Sequence, residues 1–130
     1  AGTLSGNPVA TACGLATLRQ IQAPGFFEAL SARTQSLIDG LTLAAQSAGV
    51  PFMGDCQGGM FGFFFADHLP QNYKAVMATD QARFNQFFHQ MLDAGVYLAP
   101  AMYEAGFVSA AHTEDDIRHT CEAAARAFAS

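Results

Sequence analysis

Residues 59–65, Gly-Met-Phe-Gly-Phe-Phe-Phe, put Phe61, Phe63 and Phe65 on one face of an extended strand and Met60, Gly62 and Phe64 on the other. A strand apolar on both faces must be covered on both, which asks for helices or a neighbouring domain against the sheet. Gln57-Gly58-Gly59 ahead of it either turns a hairpin or marks a bulge in one strand. Twelve Phe, 51% hydrophobic residues and only 13% charged extend the point to all 130 residues. One domain of this composition is expected to keep an apolar face that another part of a longer polypeptide covers.

Around this strand the pattern is helical. Asn7 can cap a helix whose first position is Pro8, and Val9, Ala12, Cys13, Leu15, Ala16 and Leu18 predict a buried helix to about Ile21, with Gly14 allowing close packing. Ala23-Pro24-Gly25 ends it. Phe26, Leu30, Leu37, Ile38, Leu41 and Ala45 then predict a long amphipathic helix stopped at Gly49. After a loop at residues 67–72 and a short helical piece near Tyr73 to Ala78, Asp80 caps a helix with Phe84, Phe87, Phe88, Met91 and Leu92 on one stripe, closed by Gly95. Val96 to Ala99 and Phe107 to Ser109 read as short strands flanking a loop with Tyr103 and Glu104. Thr113-Glu114-Asp115-Asp116 opens a last helix as a capping-box variant, with Ile117, Cys121, Ala124 and Phe128 as its buried stripe. The fold class is α+β, a small, mostly antiparallel sheet packed against helices.

A net charge of −5 without any basic run argues against a nucleic-acid partner. No apolar run approaches the ~20 residues of a membrane span and no leader pattern is seen, so no membrane partner is expected and the chain reads as cytoplasmic. Cys13, Cys56 and Cys121 lack paired spacing and read as small buried hydrophobes in a reducing compartment. His68, His89, His112 and His119 fall at no ligand spacing, so no metal site is expected.

The chemistry-bearing candidates are few. The turn Ala1-Gly2-Thr3-Leu4-Ser5-Gly6-Asn7-Pro8 brings small residues to the positive end of a helix, where backbone amides and the Thr3 hydroxyl could hold a phosphate ester; the plainer alternative is a Thr whose hydroxyl bonds its own backbone. Glu104, flanked by Tyr103, Ala105, Gly106 and Phe107, suits proton traffic or the holding of an amino group if its surroundings are apolar; otherwise it is an exposed loop acid. His112 reads as a local partner of the following helix start, His119 as solvent-facing, and Lys74, the one lysine, as a solvated surface residue.

Four segments, residues 2–8, residues 59–65, Gly95-Val96-Tyr97-Leu98-Ala99-Pro100, and Glu104-Ala105-Gly106-Phe107 with Ala111-His112-Thr113, give the chain a resemblance over nearly its whole length. It resembles the C-terminal part of the glutamate-1-semialdehyde 2,1-aminomutase family, in the class III aminotransferase-like group of fold type I pyridoxal-phosphate enzymes. The resemblance implies that residues 1–130 are one C-terminal domain, with residues 1–22 forming the junction helix to a large cofactor-binding domain upstream. It implies pyridoxal 5'-phosphate or pyridoxamine 5'-phosphate in a full-length homodimer, with Gly2 and Thr3 on the phosphate of the partner subunit's cofactor. It also implies Glu104 at the active-site mouth, positioning a small-molecule substrate or diamino intermediate. The Schiff-base lysine and the aspartate facing the ring nitrogen would lie upstream, so the segment alone should be inactive and should not bind the cofactor stably. Gly59 and Ala101 stand where many family members carry Ser. Another class III aminotransferase, or a non-catalytic interaction domain, are the alternatives.

Overall fold

The two glycines after Gln57 turn a hairpin. In a computed structural model that describes residues 2–130, β1 (Met53–Gln57) pairs antiparallel with β2 (Met60–Phe64), and Gln57 faces Met60 across a two-residue turn. Gly58 has φ +60°, the left-handed conformation such a turn needs. A third strand, β3 (Gly106–Phe107), runs antiparallel on the other side of β2, giving an open sheet in the order β1-β2-β3.

Among the described residues five helices accompany it: α1 (Pro8–Ile21), α2 (Phe26–Ser47), α3 (Tyr73–Met77), α4 (Gln81–Asp93) and α5 (Glu114–Phe128). Asn7, Asn72, Asp80 and Thr113 cap α1, α3, α4 and α5 with their side chains. Phe61, Phe63 and Phe65 are buried, as their alternation requires, and Phe63 and Phe65 meet α4 and α5 in one aromatic cluster. Phe87 and Phe128 stack at 4.7 Å between ring centroids, and Phe52 lies at 5.3 Å from Phe63. Leu37, Ile38, Leu41 and Ala45 of α2 complete the core. Where α2 passes α5, Gly40 leaves room for the Cys121 thiol, and a β-carbon there would collide with it.

The capping box of α5 is complete. The backbone N–H and the hydroxyl of Thr113 both donate to the Asp116 carboxylate, at 2.7 and 2.8 Å, and the Asp116 N–H donates back to the hydroxyl. The backbone N–H first, and the hydroxyl second, hold the Asp116 carboxyl below its ordinary pKa. A carboxyl whose pKa is lower folded than unfolded stabilises the fold above the unfolded value, and that contribution is lost as pH falls through the folded one. The full-length protein should therefore lose thermal midpoint between about pH 5 and pH 3 more steeply than an Asp116→Asn variant, whose amide caps without titrating. Parallel midpoint-against-pH curves would refute this.

Five expectations need correction. Helix α1 has no buried residue: Val9, Leu15 and Leu18 are exposed, because α1 contributes nothing to the core and packs appreciably only on α2. Leu92, placed on the stripe of α4, is exposed, whereas the open second face of the Phe-rich strand, with Met60 exposed and Phe64 half-buried among the described residues, is of the kind the composition leads one to expect. Val96 to Ala99 is not a strand. The Val96 N–H turns back to the Met91 carbonyl at 2.8 Å to close α4 behind Gly95, and residues 97–99 have no ladder partner among the described residues. The strand expected at residues 107–109 is Gly106–Phe107, because β2 begins at Met60 and only the Gly59 carbonyl is left to receive the Val108 N–H. Cys13 is exposed rather than buried, since it lies on α1.

Candidate functional site

The loop between Pro100 and β3 borders two clefts. One, of about 280 Å³, lies between β2 and residues 97–101, with Phe63, Phe84, Tyr97 and Pro100 among its walls. The other, of about 340 Å³, lies toward β1 and is walled by Asp55, Met60, Leu69, Pro70 and Tyr103. Phe61, Glu104 and Ala105 border both. The Glu104 N–H closes a turn onto the Ala101 carbonyl at 3.1 Å, which fixes the loop where the acid leaves it.

Glu104 itself is exposed, and its carboxylate forms no hydrogen bond or ion pair among the described residues. The apolar enclosure suggested by its neighbours is absent because Tyr103 and Phe107 are themselves exposed and do not close over it. What the geometry provides is a free carboxylate on the shared rim of two largely apolar clefts. Such a group can receive an amine carried by a ligand lying in either.

The leading turn is exposed at Gly2 and Thr3, with Ala1 outside the described residues. Ser5 does the local work that was open for Thr3: its hydroxyl accepts the Gly2 N–H and its own N–H returns to the Gly2 carbonyl, both at 3.0 Å. Asn7 donates to the Leu4 carbonyl and accepts the Ala10 N–H, each at 2.9 Å, so the chain enters α1 in a set conformation. Thr3 makes no hydrogen bond among the described residues. The turn therefore leaves the Thr3 hydroxyl and amide uncommitted, four residues ahead of the Asn7 cap of α1, while the Gly2 amide is already engaged. An anionic ester fits that arrangement at Thr3. Neither of the two clefts that Glu104 borders is lined by Gly2 or Thr3.

The remaining candidates are placed plainly. Lys74 is exposed on α3 and lines neither cleft. His112 Nδ1 accepts the Ser109 N–H at 2.9 Å, a local contact, and His119 Nε2 lies 3.2 Å from the Ala94 carbonyl, tying α5 to the end of α4. Burial pushes the thiols of Cys56 and Cys121 up, with neighbouring carboxylates adding to it, which disfavours the reactive thiolate. No cluster able to hold a metal occurs among the described residues. No helix among them is long and apolar enough to cross a membrane. At Gly59 a β-carbon would press on Leu30 and on the Val108 carbonyl, so a serine there needs a shift of α2 or of the strand beside it. Ala101 borders the first cleft. Tyr97, exposed at the mouth of that cleft, carried no functional reading in the sequence; its one signal was its place before Pro100.

No family model matches the chain. It is 75% identical over 98% of its length to glutamate-1-semialdehyde 2,1-aminomutase of Leptothrix cholodnii, and 72% identical over 99% to the same enzyme of Polaromonas naphthalenivorans. The chain spans about 30% of the length of the first and 29% of the second. Among solved structures, an omega-transaminase from Sphaerobacter thermophilus superposes on 98% of the chain with a TM-score of 0.81 at 21% identity, using 29% of its own length. The FumI protein of Sphingopyxis sp. MTA144, solved in its PLP internal aldimine form, covers 90% of the chain with a TM-score of 0.71 at 33% identity, using 25% of its own.

Proposed function

Homologous along 98–99% of its length, at 64–75% identity, to glutamate-1-semialdehyde 2,1-aminomutases, this chain is, we propose, the C-terminal domain of a cytoplasmic, homodimeric enzyme of that family. The level of identity along the whole segment is the observation that carries this reading. The reaction it implies exchanges an amino and a carbonyl group between adjacent carbons, converting glutamate-1-semialdehyde to 5-aminolevulinate for tetrapyrrole synthesis.

Pyridoxal phosphate, when bound, supplies an electron sink and a place to lodge the migrating amino group. The residues of this chain fit one end of that group. Thr3, uncommitted in the turn ahead of α1, would hold the phosphate ester of the partner subunit's cofactor, with Gly2 allowing close approach. An anchoring lysine is a different matter: Lys74 borders neither cleft, and the resemblance puts the amine and the acid facing the ring nitrogen in the part of the full-length enzyme that this chain does not span. Glu104 would receive an amino group of the substrate at the rim of its clefts and hold it there, while the apolar walls exclude water from that end of the ligand.

The decisive experiment supplies glutamate-1-semialdehyde to the full-length enzyme as sole substrate. Steady formation of 5-aminolevulinate with no added amino acceptor supports the reading. Turnover that stops until a keto acid is added assigns the chain instead to an aminotransferase, the alternative favoured by its transaminase-like fold. Thr3→Val should raise the dissociation constant for pyridoxal phosphate about tenfold or more, the usual worth of a hydrogen bond to a charged group. Cofactor retention on dialysis, followed by absorbance, checks this; unchanged retention removes Thr3 from the phosphate site.

A further inference from the structure

Strand β3 is two residues long, yet it ties the end of the Glu104 loop to the sheet. Its first residue, Gly106, faces Phe61 across the ladder, and a β-carbon on Gly106 would lie inside the Phe61 ring, against its Cζ and both Cε atoms. Gly106 is not among the glycines with positive φ, so space, not backbone freedom, is what demands glycine here. The ring covers the bare backbone, as aromatic residues do opposite strand glycines.

Phe61 is 8% exposed and borders both of the clefts that Glu104 borders. A side chain at position 106 therefore has two outcomes. It turns the ring into one of the clefts, or it lifts residues 104–106 away from β2. The turn hydrogen bond from Glu104 to Ala101 and the bond from Val108 to Gly59 lie on either side of the glycine, so movement at 106 reaches both.

Resting on the reading of Glu104 as the substrate-holding acid, we infer that Gly106 is a positioning residue: by admitting the Phe61 ring against its backbone it sets where Glu104 stands between the two clefts. The test is a double-mutant cycle in the full-length enzyme, read by turnover at substrate well below KM and by amide hydrogen exchange across residues 101–108. Gly106→Ala should lower that turnover by about tenfold, through KM and with kcat little altered, as loss of the Glu104 charge would, and speed exchange at Glu104 and Val108. Phe61→Leu, which loosens the contact without adding bulk, should lower turnover about threefold with a smaller rise in exchange, and the double variant should match Phe61→Leu rather than Gly106→Ala.

Wild-type turnover in Gly106→Ala overturns the inference, and so does lost turnover with unchanged exchange, or a double variant no better than Gly106→Ala. If Gly106→Ala does not fold, Phe61→Leu decides alone: exchange at Glu104 identical to wild type overturns it. A Glu104→Gln enzyme with full activity marks failure of the underlying reading instead, because the exchange coupling between 61 and 106 does not depend on the acid's role.

Discussion

Phe87→Ala is expected to destabilise the domain by about 3–5 kcal/mol, the range for deleting a fully buried phenyl ring from a core that cannot collapse around the gap. Phe87 is 2% exposed. It stacks on Phe128 at 4.7 Å with the planes 17° apart, and meets Phe63 at 5.7 Å and Phe65 at 5.5 Å edge to face. One ring thus joins α4, α5 and the sheet, and its loss opens a cavity where three elements meet. Edge-to-face pairs add about 0.5–1.5 kcal/mol each beyond area burial, which places the expected value toward the upper end. Phe107→Ala is the control, since that ring is 69% exposed in this chain. Urea unfolding of the full-length protein should show a midpoint shift for the first variant and little for the second. A loss under about 1 kcal/mol at Phe87 would mean that the aromatic cluster is not the keystone of the core.

The same cluster shows what can be read from a sequence and what cannot. The stripe Phe84, Phe87, Met91 on α4 and the pair Ala124, Phe128 on α5 were legible because helix periodicity and capping act over three or four residues, all of them adjacent in the chain. Phe61, Phe63 and Phe65 were legible for the same reason at period two. Strand pairing was not. Val96 to Ala99 has the apolar composition of a strand, but a strand exists only where another backbone lies alongside, and here the chain spends its first N–H closing α4. The burial expected of α1 failed on the same ground: apolar spacing shows that a helix has a face to cover, not that the covering surface lies within the same 130 residues.

The functional residues divide along that line. At Thr3 the turn residues, the cap and Pro8 specify the local conformation, and the structure adds what spacing could not, that Ser5 takes up the local bonding and leaves Thr3 uncommitted. For Glu104 the apolar flanks misled, because neighbours in sequence need not be neighbours in space: Tyr103 and Phe107 are exposed while the walls of the clefts come from β2, from Phe84 and from residues 97–101. Those walls meet only through the fold. The collision of a side chain at Gly106 with Phe61, forty-five positions earlier in the chain, is of the same kind.

Glu104→Gln in the full-length enzyme separates the two things that an exposed carboxylate on a cleft rim can do. The substitution keeps size and hydrogen-bonding capacity and removes the charge. Because the side chain is exposed and engages no partner among the described residues, stability should be unchanged, and a shifted unfolding midpoint would contradict the structure. If Glu104 holds a substrate ammonium, KM for glutamate-1-semialdehyde should rise about tenfold or more with kcat little altered, since a charge-assisted hydrogen bond is roughly twice as strong as a neutral one and is present in ground and transition states alike. A carboxylate that moves a proton in the reaction gives the opposite split, a fall in kcat of about a hundredfold with KM held, the usual contribution of a positioned acid or base. The first pattern is expected, because a group open to solvent and free of partners is better suited to binding a cation than to a shielded proton transfer. Both constants within twofold of wild type would remove Glu104 from the active site, and with it any part of the two clefts in holding the substrate amine.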